Sequence, residues 1–141
     1  AHEAGIYILD DFSITERFLI NTGLRYVLFN QVGPYKSANL NEEGEPTGEI
    51  QTWNPQESIR FYHALEPRLA LTYLLNKTSS LKASYTRTNQ FLHLATTSGA
   101  SFPSDLWIPS SRKVSPQLAD QYSAGIFKNF KENQYETSAE V

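Results

Sequence analysis

Apolar and polar residues alternate at every second position over six stretches of the chain, the period that sends successive strand side chains to opposite faces. The clearest stretch is Phe18–Asn30: Phe18, Ile20, Thr22, Leu24, Tyr26 and Leu28 share one face, and Leu19, Asn21, Gly23, Arg25 and Val27 the other. A helix would spread Asn21, Gly23 and Arg25 around its cylinder, with a glycine costing about 1 kcal/mol against alanine, so a strand is predicted. Glu3–Phe12 precedes it, apolar on both faces at its middle (Ile6 and Ile8; Tyr7 and Leu9), and periodicity does not assign its facing. In Leu65–Leu75, Leu69, Leu71 and Tyr73 alternate with Arg68, Ala70 and Thr72. A helical stripe of Ile59, Tyr62, Leu65, Leu69 and Tyr73 competes there. Pro67 decides for the strand, because a mid-helix proline removes a hydrogen bond and clashes with the preceding turn. Ser80–Leu94 alternates up to Thr86 and then fades; Leu118–Phe130 and Tyr135–Val141 complete the set.

The connections between these strands alternate in length. Ser13–Arg17, Asn76–Ser80 and Lys131–Gln134 read as tight turns, whereas long loops run from about Gln31 to Ala64 and from about Ala95 to Gln117. All three tight turns fall at one end of an up-and-down sheet and both long loops at the other, the layout of an outer-membrane β-barrel. Sandwich loops are distributed over both ends. The face opposite the apolar one collects Asn21, Arg25, Arg68, Lys82, Ser84, Glu136 and Glu140, groups that need either bulk water or a hydrated lumen. Phe12, Phe18, Phe130 and Tyr135 bracket the tight turns, and Tyr26, Phe29 and Tyr85 approach the other rim, the spacing of two aromatic belts. The predicted fold is therefore all-β: about six antiparallel up-and-down strands forming part of a large transmembrane barrel.

Composition removes several alternatives. The 141 residues carry a net charge of −3 and no basic cluster, so no nucleic-acid partner is expected. Absence of cysteine excludes disulfides, thiolate catalysis and cysteine zinc sites. No run approaches the roughly 18–20 apolar residues of a membrane helix, which carries no information about strands of alternating polarity. The acidic run Asn41–Glu45 reads as a solvated loop. His2, His63 and His93 lack metal spacing, and there is no phosphate loop, nucleophile elbow or paired-carboxylate spacing. No enzyme activity, metal or cofactor is expected. Aromatic residues make up 13% of the chain, and those in the loops are where contacts with a solute would be made. Trp53, Tyr62 and Trp107, with the Tyr35 region, could stack on a sugar or other ring or pack the loops against one another. With His93, a loop-packed or solvated histidine, they form the candidate substrate-contact set. Ser98–Pro103 and Trp107–Pro109 read as ordered turns.

Glu3–Phe12 followed by Ile14–Tyr26 resembles a strand–turn–strand of TonB-dependent outer-membrane receptors. Glu66–Tyr73 and Ser80–Arg87 resemble the next hairpin in the same order, with Asn21–Tyr26 and Glu66–Arg68 the most specific pieces. Gln90–Leu94, Ser110–Pro116 and Asp120–Ser123 are similar to a loop-and-return of the Bacteroidetes-type receptors. The resemblance implies a roughly 22-stranded barrel closed by a plug, which imports a scarce nutrient across the outer membrane of a Gram-negative bacterium. Its partners would be outer-membrane lipid, the rest of the barrel and its plug, the TonB complex reached through an N-terminal region not in residues 1–141, and an unidentified nutrient. On this reading residues 1–141 are an internal portion of the barrel domain, a wall segment whose Arg25, Arg68 and Lys82 face lumen water or the plug. The alternatives are a soluble β-sandwich carbohydrate-binding module using Trp53 and Trp107, and a secreted β-rich enzyme.

Overall fold

A computed structural model of the chain describes residues 1–41, 43, 45–97, 104–130 and 134–141. Among the described residues ten strands follow one another: β1 His2–Thr15, β2 Phe18–Val32, β3 Tyr35–Leu40, β4 Pro46–Trp53, β5 Ser58–Asn76, β6 Ser79–Gln90, β7 Leu92–Thr97, β8 Ser104–Pro109, β9 Gln117–Phe130 and β10 Tyr135–Glu140. Six of them form one sheet in the order β1-β2-β5-β6-β9-β10, while β3-β4 and β7-β8 are separate two-stranded sheets. The six are those expected from the alternation, and each sits beside its neighbour in that series. Pairing is antiparallel with Leu71 opposite Ala83 in β5–β6 and Ala139 opposite Ile126 in β9–β10.

Short polar side chains close the first two turns. Thr15 Oγ1 accepts from the backbone N–H of Arg17 (3.3 Å) and of Phe18 (3.1 Å), and Asn76 Oδ1 accepts from Thr78 N–H at 2.9 Å. Such local bonds satisfy amides that the ladder leaves over at a bend. The expected turn at Lys131–Gln134 lies, apart from Gln134, outside the described residues, as do Ser98–Pro103 and two residues of Asn41–Glu45.

The long loops differ from the sequence expectation. Most of 31–64 is strand: the end of β2, the β3–β4 hairpin and the start of β5. Ser80–Leu94 is not one strand, because β6 stops at Gln90 and Leu92 to Leu94 belong to β7. Trp107–Pro109 is the end of β8 rather than a turn. A two-stranded excursion pairs its own amides and needs no apolar stripe, so periodicity does not announce it.

The chain divides into two compact units. The strand unit comprises Gly5–Val27, Ala64–Asn89 and Leu118–Val141. It is a single layer whose faces differ in chemistry. Leu69, Leu71 and Tyr73 lie opposite Tyr85, Ala83 and Leu81, and ring contacts Phe18–Tyr73 (6.3 Å) and Tyr85–Tyr122 (4.9 Å) continue this apolar face across the sheet. On the reverse, Arg68, Ala70 and Thr72 lie opposite Thr86, Ser84 and Lys82. There Ser84 and Ser123 share a hydroxyl hydrogen bond of 2.7 Å, and the Lys82 ammonium sits 4.2 Å from the centre of the Phe127 ring. The facing of β1 is settled by two glycines. A Cβ on Gly5 would meet the Arg25 side chain, and one on Gly23 would collide with that of Leu9. Gly5, Tyr7 and Leu9 therefore share the face of Arg25, and Ile6 and Ile8 point the other way. Nothing among the described residues covers the apolar face: Ile8 is 69% exposed and Tyr122 72%. A sandwich would bury it under a second sheet, so this unit is a one-layer wall.

The hairpin unit comprises Ala1–Ala4, Leu28–His63 and Gln90–Gln117. Its core is the Phe29–Phe91 pair, stacked at 5.0 Å with planes 7° apart, both rings buried. Phe29, expected in an aromatic belt, is instead 1% exposed, because it falls on the same alternating positions of β2 as buried Val27 and Gln31. Gly33 is required by close approach: a Cβ there would overlap the carbonyl oxygens of Trp53 and Asn54. The backbone bonds Gly33 N–H to Glu57 O (2.9 Å) and Gln56 N–H to Gly33 O (3.2 Å) fasten the base of the β3–β4 hairpin.

Candidate functional site

Two concave regions stand out, one in each unit. In the strand unit, a groove of about 480 Å3 on the polar face is lined by Gly5, Tyr7, Leu9, Gly23, Arg25, Glu66 and Arg68. Its floor is open because two of the residues lack side chains. Glu66 is 2% exposed, an unusual position for a carboxylate. One of its oxygens accepts the backbone N–H of Asn89 at 2.7 Å, and the other stands 3.4 Å from Arg25 Nη1. The ion pair is long and the Arg25 side chain is 42% exposed, so it contributes no more than about 1 kcal/mol. A charged acceptor on a backbone amide is worth about 1.5–3 kcal/mol, and the Asn89 bond dominates. Periodicity put Arg25, Arg68 and Lys82 on this face. Glu66 was legible as part of Glu66–Arg68, one of the most specific pieces of the receptor resemblance, without a sign of its burial.

In the hairpin unit, a cleft of about 260 Å3 lies between the β3–β4 hairpin and the turn at Ser111–Lys113. The hairpin contributes Tyr35, Ser37, Asn39, Gln51 and Trp53. Register places Tyr35 opposite Trp53 and Ser37 opposite Gln51, hence on one face. The two rings touch at 5.8 Å, tilted by 37°. Across the cleft, Ser111 Oγ accepts the N–H groups of Lys113 (3.3 Å) and Val114 (3.2 Å), which turns the chain so that both cations reach the hairpin. Arg112 Nη1 donates to Gln51 Oε1 at 3.2 Å and Lys113 Nζ to Ala38 O at 2.9 Å.

The four expected contact residues separate. Trp53 lines the cleft. Tyr62 stands behind it, its hydroxyl donating to Ser111 O at 2.7 Å with Arg60 over its ring, and so steadies the turn that carries Arg112 and Lys113. His93 Nε2 is 3.0 Å from the buried Ser110 Oγ and packs the neighbouring hairpin. Trp107 is 62% exposed opposite Leu94 in β8 and lines neither concavity. Sequence reading missed Gln51, Arg112 and Lys113. Arg112 and Lys113 are adjacent cations in a loop, a weak signal, and only the fold brings them to Tyr35 and Trp53.

An antiparallel sheet one layer thick, with an uncovered face that is apolar along its central strands and Arg25, Glu66, Arg68 and Lys82 on the reverse, has the build of a membrane β-barrel wall. A family model described as "TonB dependent receptor-like, beta-barrel" matches residues 1–140, and the chain belongs to that family of outer-membrane receptors and transporters. No curated protein and no solved structure matches the chain.

Proposed function

We propose that residues 1–141 form a wall segment of the barrel domain of a receptor in the outer membrane of a Gram-negative bacterium, one that imports a nutrient with energy drawn from the TonB complex. The observation that carries this reading is the contrast between the two faces of the strand unit. Ile8, Leu71 and Ala124 lie on a face with no cover among the described residues, and Arg25, Glu66 and the Ser84–Ser123 pair on its reverse. The uncovered face meets lipid, and the groove around Arg25 and Arg68 meets lumen water or the plug. The tight turns then lie on the periplasmic rim and the long excursions outside the cell, where Trp53 meets the incoming solute and Tyr62 steadies the turn at Ser111. Residues Gln90–Leu94 and Ser110–Pro116 support a receptor of Bacteroidetes type.

Adjacent cysteines test the reading. In cells bearing the receptor, Ser84→Cys reacts with a small hydrophilic thiol reagent, and Ala83→Cys only with a lipid-soluble one. Equal reaction of both with the hydrophilic reagent would place water on both faces and refute the membrane wall. Uptake that persists without TonB would refute the energised-import part alone.

A further inference from the structure

The cleft of the hairpin unit has a composition that specifies its ligand. Two cations, Arg112 and Lys113, line it, and no carboxylate does among the described residues. Both hydrogen-bond to neutral acceptors, Gln51 Oε1 and Ala38 O, and neither is in an ion pair among the described residues of the cleft. Glu49, on the same face of β4 as Gln51 and Trp53, stands at the margin of the cleft with its carboxylate engaged by Asn39 Nδ2 at 3.2 Å. The facing wall is the Tyr35–Trp53 corner, with Tyr35 39% exposed and available for stacking. Flat apolar rings beside a planar guanidinium favour a ligand in which a ring and a carboxylate are close together. Size narrows it further. About 260 Å3 falls just below the roughly 300–1,000 Å3 of pockets that enclose a drug-sized molecule, so the cleft holds one ring and its acid group.

The geometry points to a binding site for a carboxylate-bearing six-membered ring, the acidic terminal group of a larger solute, gripped by Arg112 and Lys113 and stacked on Tyr35 and Trp53. This deepens the proposed role of Trp53 in solute contact and rests on it. The acid ring has two chemical sources, a pyranose uronate and an aromatic acid, and the probes separate them. The remaining polar atoms of Asn39 and Gln51, Oδ1 and Nε2, offer an acceptor and a donor to ring hydroxyls, which a sugar acid uses and a simple benzoate does not.

The test is calorimetric titration of the detergent-solubilised receptor carrying this chain with methyl glucuronoside, methyl glucoside and benzoate. At least one acid binds tenfold or more tighter than the neutral glucoside. A tighter glucuronoside identifies a sugar acid and a tighter benzoate an aromatic acid. In Arg112→Gln/Lys113→Gln the acid preference disappears, whereas Trp53→Phe, which keeps a ring, retains it and Trp53→Ala weakens acid binding about tenfold. Raising salt weakens acid binding in the wild type and leaves glucoside binding unchanged. Equal binding of acids and glucoside, or no binding of any probe to the wild type, overturns the site. Because the titration needs neither cells nor TonB, its failure leaves the uptake assay to be read separately, and failed uptake leaves the cleft's binding to be read.

Discussion

The two units use the same backbone geometry and opposite interiors. In the hairpin unit two aromatic rings, Phe29 and Phe91, stack away from solvent. In the strand unit a carboxylate is among the most buried groups, while Ile6, Ile8 and Tyr122 stand uncovered. A water-soluble protein follows the first rule throughout, since burying apolar area is its main driving force. Both rules in one chain mean two solvents, with water setting the hairpin unit and lipid setting one face of the strand unit. Burial has to be read against the medium, because an uncovered isoleucine is a fault in water and a requirement in a bilayer.

Four experiments test that contrast, from the largest effect to the smallest. Phe29→Ala removes a ring from the stacked pair and destabilises the receptor by about 3–5 kcal/mol in urea unfolding from lipid vesicles; a loss under about 1 kcal/mol would mean that the pair is not a core. Ala124→Arg and Ser123→Arg differ by one position and one face. The first costs about 2–4 kcal/mol on a lipid-facing surface near mid-bilayer and the second far less, and equal costs would erase the distinction between faces. Glu66→Ala exposes the separate worth of the buried carboxylate, with a loss of about 1.5–3 kcal/mol. Glu66→Gln keeps an acceptor for Asn89 and recovers most of it; a Gln variant as damaged as Ala would shift the weight to the Arg25 ion pair. Ser84→Ala deletes one exposed hydroxyl bond and costs about 0.5–1 kcal/mol. Double-mutant analysis with Ser123→Ala checks that this energy belongs to the pair.

Much of the sheet was legible in the sequence because one of its faces must be apolar along the central strands. Phe18–Asn30 was found within two residues of β2 on that signal alone, whereas Leu65–Leu75 needed Pro67 to settle it and covers only the later part of β5, which begins at Ser58. β1 has apolar residues on both sides, so only the contact of Gly5 with Arg25 and that of Gly23 with Leu9 could orient it. The hairpins escaped because Tyr35–Leu40 and Pro46–Trp53 pair with each other and owe the medium no pattern. The candidate cleft was half legible. Trp53 and the Tyr35 region drew notice as loop aromatics, but Arg112 is 59 positions from Trp53 in the sequence (112 − 53), and no local rule brings them together.

The bond from Asn89 to Glu66 has a further consequence for how the chain can be edited. The β5–β6 register reaches its upper limit at Arg68 opposite Thr86, and past it a side-chain oxygen takes over the role of a main-chain acceptor. Glu66 thus acts as a hem at the margin of the fabric, finished so that it does not unravel from there. A hemmed margin tolerates alteration of what is sewn onto it. Loops of other lengths grafted between Leu92 and Gln117, which keep Phe91 stacked on Phe29, would leave the preceding strand intact, so receptors with new solute preferences could be cut from the same cloth.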